Sequence, residues 1–160
     1  MGQGVSAKTN NGIAGEWLTM LDLIQRGAEV YHSVGGTAAD IVALIDSQPL
    51  RIQVKSSVAL DKAAYAFRGG YGRSRFNRYL GRADVLAFVA IPHRMVLYAP
   101  VMAALPFIEQ ESLRIAPGRF GQGMSDLSWT ATTEMIKSGV ISDDLARPLM
   151  AWLNGTTARE

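Results

Sequence analysis

The chain contains no cysteine, which removes disulfide cross-links, a thiolate nucleophile and every cysteine-bearing zinc site. Histidine is almost as scarce. His32 and His93 stand far apart and make no histidine cluster, so any metal is expected on oxygen ligands. No apolar run approaches the roughly 18 residues of a membrane span; the longest strongly apolar stretch, Val85 to Ile91, is far shorter. The start of the chain lacks a signal-peptide core, so no membrane association is expected, and a cytoplasmic location is. Charged residues make up only 19% and the net charge is +2, which fits neither a disordered nor a polybasic chain.

What is present is 160 residues, 48% of them apolar, enough for one domain with a real core and too few for two ordinary ones. A single domain over 1–160 is expected. Its charge is uneven. Residues 61–82 hold Lys62, Arg68, Arg73, Arg75, Arg78 and Arg82 against Asp61, a net of +5, so the rest of the chain sums to −3. Tyr65, Phe67, Tyr71, Phe76 and Tyr79 are interleaved with these cations, together with Gly69-Gly70-Tyr71-Gly72. Arginines grip phosphates and aromatics stack on bases, so the segment reads as a nucleic-acid contact inserted into a mildly acidic body. The competing reading is a solvated loop whose arginines pair with nearby carboxylates.

Periodicity suggests a first helix from an Asn10 or Asn11 cap to Arg26-Gly27, with Ile13, Trp17, Met20, Leu21 and Ile24 as its apolar arc. Strands follow over Ala28 to Val34, Asp40 to Asp46 and Leu50 to Ser57, then Asp84 to Ile91 and Met95 to Val101. Residues 103–160 read as a mainly helical C-terminal part, with a turn near Met102 to Leu105 and helices over Thr132 to Ser138 and Ser142 to Leu153. The expected fold class is α/β, a mixed central sheet flanked by helices.

On a helical wheel Glu16 falls between Leu23 and Met20, facing the sheet, while Thr19, Asp22 and Arg26 fall opposite. A carboxylate placed there needs a cation, a metal or hydrogen bonds. A turn at Ser47-Gln48, or a loop from Asp46 to Pro49, pairs residues whose numbers sum to 95, setting Asp40 opposite Lys55 and Val42 opposite Gln53. Strand alternation then puts Asp40, Gln53 and Lys55 on one face and Ile41, Ala43, Ile52 and Val54 on the other. The oxygen ligands Asp40, Gln53 and Glu16 suit Mg²⁺, and Lys55 beside them suits a role at an attacking water or a charged transition state. His32 and His93 read as satisfied or solvated residues.

Glu16, then Ala39-Asp40, then Gln53-Val54-Lys55, with the glycines at 27, 35 and 36, resemble the PD-(D/E)XK nuclease superfamily over about residues 12–57. The resemblance implies a restriction-endonuclease-like core of helix, three-strand meander and further strands. It also implies a Mg²⁺-dependent endonuclease, with Mn²⁺ as a substitute, acting on double-stranded DNA. Glu16, Asp40, Gln53 and Lys55 would be catalytic; Asp40, Gln53, Glu16 and the Val54 carbonyl would hold the metal. The chain departs from the pattern twice, with Ala39 for the signature proline and Gln53 for an acid. The second change leaves Glu16, Asp40 and Lys55 at −1 and weakens metal binding, yet a Gln-x-Lys triplet is similar to that of the small intron-encoded homing endonucleases of this superfamily. Cleavage of both strands implies a homodimer or homotetramer, with no small-molecule cofactor. Two alternatives remain open: a nuclease resembling Holliday-junction resolvases, and a DNA-binding module on the same fold that has lost catalysis.

Overall fold

A computed structural model describes residues 7–33, 39–68, 79, 81–104, 112–121, 123–139 and 143–153. Helix α1 (Ala7–Gln25) leads into strands β1 (Glu29–His32), β2 (Ile41–Ile45) and β3 (Gln48–Ser57). The short strands β4 (Leu60–Asp61) and β5 (Ala64–Arg68) precede β6 (Val85–Ala90) and β7 (Met95–Pro100). A one-turn helix α2 (Val101–Ala104), strand β8 (Ser112–Ile115) and helices α3 (Met124–Ser138) and α4 (Asp143–Leu153) complete the order.

Two sheets form among the described residues, β1-β2-β3-β6-β7 and β4-β5-β8. In the larger one β1, β2 and β3 are an antiparallel meander, β6 runs parallel to β3, and β7 returns antiparallel to β6. Every residue of β6 is buried, as its unbroken apolar run requires of a strand covered on both faces. On one side Ile41, Ala43, Ile52, Val54, Val85, Ala87 and Tyr98 pack with Leu23 of α1 and with Trp129 and Ile136 of α3. On the other, Leu86, Phe88, Leu97 and Ala99 meet Tyr65 and Phe67 of β5, Leu113 and Ile115 of β8, and Leu149, Met150 and Leu153 of α4. The α/β class with a mixed sheet flanked by helices is therefore observed. The small second sheet was not foreseen, because β5 lay inside the basic segment and β8 inside the part read as helical.

Two expectations are corrected. The β2–β3 turn is Asp46-Ser47, both in the left-handed region at φ 50° and 65°, and paired numbers sum to 93, from Ile41 opposite Ile52 to Ile45 opposite Gln48. This two-residue loop has the positive φ values of a tight hairpin turn without the usual glycine, and Pro49 joins the strand. The slip of two leaves every side chain on its expected face but removes the pairing of Asp40 with Lys55.

The second correction concerns α1, whose buried arc is Gly15, Thr19 and Leu23, with Asp22 and Arg26 beside it, while Ile13, Trp17, Leu21 and Ile24 are exposed. Small residues let the helix approach β3: a Cβ on Gly15 would stand 2.0 Å from Ser56 Oγ and 2.9 Å from its Cβ. The polar groups turned inward are all bonded. Thr19 donates to the Gly15 carbonyl at 2.9 Å, Tyr98 donates to Asp22 Oδ2 at 2.5 Å, and Arg26 donates to Asp22 at 2.9 Å and to Ser125 at 2.8 Å. Burial and the Asp22 charge push the Tyr98 phenol well above its ordinary value, so it remains a donor.

At the start of the parallel pairing, Asp84 accepts from the Arg51 backbone N–H at 2.8 Å and from Arg51 Nε and Nη2 at 3.1 and 3.0 Å, while Arg51 Nη1 donates to the Gly81 carbonyl at 2.7 Å. Burial alone would raise the Asp84 carboxyl, but these bonds and the guanidinium charge outweigh it and hold it below the ordinary range. Asp84→Ala is expected to cost about 1–3 kcal/mol in urea unfolding at pH 7. Because the folded state binds this proton less readily than the unfolded chain, that difference is present above the ordinary carboxylate pKa and shrinks as pH falls below it. Gly15→Ala is expected to lower the melting temperature by wedging α1 off β3, and adding Ser56→Gly to recover part of the loss. Equal melting of the single and double variants would contradict the close approach.

Candidate active site

Asp40 directly precedes β2 and is held over the middle of β3: its backbone N–H donates to the Ile52 carbonyl at 2.9 Å, and its Oδ2 accepts from the Val54 N–H at 2.8 Å. Ser33, just beyond β1, donates its N–H to the Asp40 carbonyl at 2.8 Å, so the ends of β1 and β2 close on each other. Gln53 and Lys55 alternate with the buried Ile52 and Val54 and so project from the opposite face of β3. Lys55 Nζ donates to Tyr79 Oη at 2.6 Å and lies 4.9 Å from the centre of that ring. Lys55 also lines a cleft of about 480 Å³ between the early turns of α1, at Asn11 and Gly12, and the end of β3.

Glu16 reaches the group from α1. It lies at the border of the helix's buried arc, its side chain 21% exposed, with Oε2 at 2.5 Å from Nε2 of His32. His32 shares the parity of Val30, which packs toward the α1 side, and this explains why the imidazole meets a helix residue.

Burial raises the Asp40 carboxyl above its ordinary value and the Glu16 charge adds to that, while the Val54 N–H, Lys55 and His32 pull it down. Glu16, Lys55 and His32 therefore all act electrostatically on Asp40. Glu16, Asp40 and Lys55 by themselves sum to a formal −1. A carboxylate disfavoured by burial and by a second carboxylate is a group that a cation would stabilise. The oxygen donors of Asp40, Glu16 and Gln53 suit a hard divalent ion. Among the described residues no three His, Asp or Glu side chains gather closely enough to hold an ion alone, so the Gln53 amide, a backbone carbonyl or a substrate oxygen would have to complete the set. The Val54 carbonyl accepts from Gln53 Nε2 at 3.4 Å, a weak bond that ligation there would break.

The basic segment is only partly described. Lys62 and Arg82 are exposed, and Arg68 ends β5; Arg73, Arg75 and Arg78, like Tyr71 and Phe76, lie outside the described residues. The aromatics Tyr65, Phe67 and Tyr79 are buried and hold the second core together, so they are not free to stack on bases. Tyr79 and His32 are the members of the site that sequence reasoning missed. Strand parity could have drawn His32 toward α1, whereas nothing in the spacing ties Tyr79 to a lysine 24 residues earlier.

No helix of the described residues is long and apolar enough to cross a membrane. No protein-family model and no curated protein sequence matches the chain. Its fold is similar to the solved structure of a bacterial homing endonuclease, I-Ssp6803I, with a TM-score of 0.62 over 84% of this chain and 99% of that one at 16% identity. At that identity the likeness establishes a shared fold.

Proposed function

We propose that the chain is a metal-dependent DNA endonuclease of the homing-endonuclease type. The observation that carries this reading is the partly buried Asp40 carboxylate, held by the Val54 N–H and disfavoured by its surroundings, with Glu16 and Lys55 within electrostatic reach. The bacterial homing endonuclease that shares the fold supports it, as do the Gln53-Val54-Lys55 triplet and the +5 segment.

Asp40, Glu16, the Gln53 amide oxygen and the Val54 carbonyl would hold Mg²⁺ or Mn²⁺, which supplies positive charge beside a phosphodiester and so favours attack by water. Asp40 is fixed for this by the Val54 N–H, which keeps one carboxylate oxygen from rotating away. Lys55, steadied by the Tyr79 hydroxyl, presents its ammonium where charge builds on the phosphate oxygens. His32 keeps Glu16 in place. Lys62, Arg68, Arg73, Arg75, Arg78 and Arg82 would meet the DNA backbone, and two-strand cleavage would use at least two copies of the chain.

Incubation with long duplex DNA and Mg²⁺ or Mn²⁺ tests this reading, with Asp40→Asn and Lys55→Ala expected to lose roughly 100-fold or more in rate. Cleavage by both variants at the parent rate would end the assignment. Asp40→Asn also separates activity from folding. Since the native state raises this pKa, the cost of the ionised form is absent at pH values below the ordinary 3.8 and enters as pH rises through the folded value. The amide should therefore melt no lower than the parent at pH 7, at about 2–4 °C higher per kcal/mol relieved, and the gap should close on acidification.

Gln53 favours a second reading, a non-catalytic DNA-binding module, since the triplet lacks its acid. That module would bind DNA in a salt-sensitive way and take up no Mn²⁺ in calorimetry even with DNA present. A resolvase-like activity would instead prefer four-way junctions to linear duplex.

A further inference from the structure

Helix α1 wears its apolar side outward. Its exposed positions from Asn10 onward are Asn10, Ile13, Trp17, Leu21, Ile24 and Gln25, none of them charged. Ile13, Trp17, Leu21 and Ile24 are 45%, 69%, 53% and 55% exposed, and their spacing of four, four and three residues makes one stripe about 16 Å long. The ionisable residues of this stretch point elsewhere: Glu16 bonds His32, Asp22 bonds Tyr98 and Arg26, and Arg26 reaches Ser125 and Asp126.

We propose that this stripe is the surface through which two copies of the chain associate, α1 against α1. The four side chains expose on the order of 450 Å², within the range of the largest patches on single chains, which are often functional. That is about half of the roughly 800 Å² per partner in a stable interface, and the share expected of an apolar centre inside a polar rim. The chemistry rules out the other kinds of occupant. DNA needs cations to answer its phosphates, and residues 10–25, which carry the stripe, hold no lysine or arginine, while Arg26, just beyond α1, is tied to Asp22 and Asp126. A lipid surface calls for lysine or arginine along the flanks of the apolar face, and Asn10 and Gln25 stand at its exposed ends instead. An uncharged stripe offers no electrostatic address for a different protein, whereas it is complementary to itself under a two-fold axis, with each side chain filling the gap beside its equivalent.

The association rests on the surface alone; only its consequence, two active sites for two DNA strands, rests on the endonuclease reading. Sedimentation or light scattering of the full chain over 0.1–50 µM, without DNA or metal, is compared for the parent, Trp17→Glu and Ile24→Glu. Circular dichroism and melting serve as controls, and two variants guard against one failing to fold. The parent is expected to associate, and each folded variant to dissociate at a protein concentration at least 100-fold higher. A monomeric parent throughout this range, or folded variants that associate as the parent does, would overturn the proposal. Where the parent cleaves DNA, folded Trp17→Glu should still nick single strands and lose paired cuts. An inactive parent that still dimerises through α1 would sink the endonuclease reading and leave the interface standing.

Discussion

The carboxylate of Asp40 sits where burial works against its ionisation, and much of the surrounding architecture can be understood as the means of holding it there. A free loop would let the side chain turn into water, but here the Asp40 N–H is bound to Ile52, its carbonyl to Ser33 and its Oδ2 to Val54. Those bonds require β1, β2 and β3 to be in register. The register in turn depends on β3 being fixed against β6, where the Arg51–Asp84 bonds clamp the two chains one residue ahead of the first ladder pair, Ile52 with Val85. Lys55 lies two residues beyond Gln53 on the strand so positioned, and Tyr79, anchored in the second core, fixes where its ammonium rests.

Helix α1 completes this arrangement by an unusual choice of face. Its apolar stripe would have packed on the sheet at a greater distance, because isoleucine, tryptophan and leucine are bulky. Gly15 against Ser56 brings the helix axis close, and Glu16, the next residue, is carried with it to the border of the sheet beside His32. The polar residues brought inside are tolerated because each is bonded, Thr19 to the helix itself and Asp22 and Arg26 to Tyr98 and α3. The displaced apolar surface is left facing outward, so the proximity of Glu16 to the hairpin and the exposed stripe arise from the same packing decision.

The sequence was most legible where a pattern of period two governed the outcome. The shared face of Gln53 and Lys55 follows from alternation, which survives a register slip of two, and the burial of β6 follows from its unbroken apolar run. The slip itself was hidden because the turn uses Asp46 and Ser47 at positive φ, a conformation better suited to asparagine or glycine, while Pro49 looked like the turn residue and is a strand residue. The face of α1 was misread for a different reason: hydrophobicity identifies an apolar arc but not what covers it. The buried arc was chosen by close approach and by a polar network whose partners, Tyr98 and Ser125, are far away in the chain. The same distance concealed Tyr79, which belongs to the aromatic pattern of the basic segment by sequence and to the second core by structure.

Gln53 bears on how such a site would work. With an acid at 53 the group would sum to −2, and a lysine two residues on would sit beside a charge that could neutralise it. With an amide the sum is −1, and Lys55 is held instead by a neutral phenol, which directs the ammonium without cancelling it. That leaves more positive potential for Asp40 and for an incoming phosphate, and less negative potential to attract a cation from solution. On the endonuclease reading the shortfall would fall to the DNA, since a phosphate oxygen brings both a ligand and a negative charge. Cation and nucleic acid would then bind in concert, each weakly alone, and a protein carrying a +5 segment has the means to secure the DNA first.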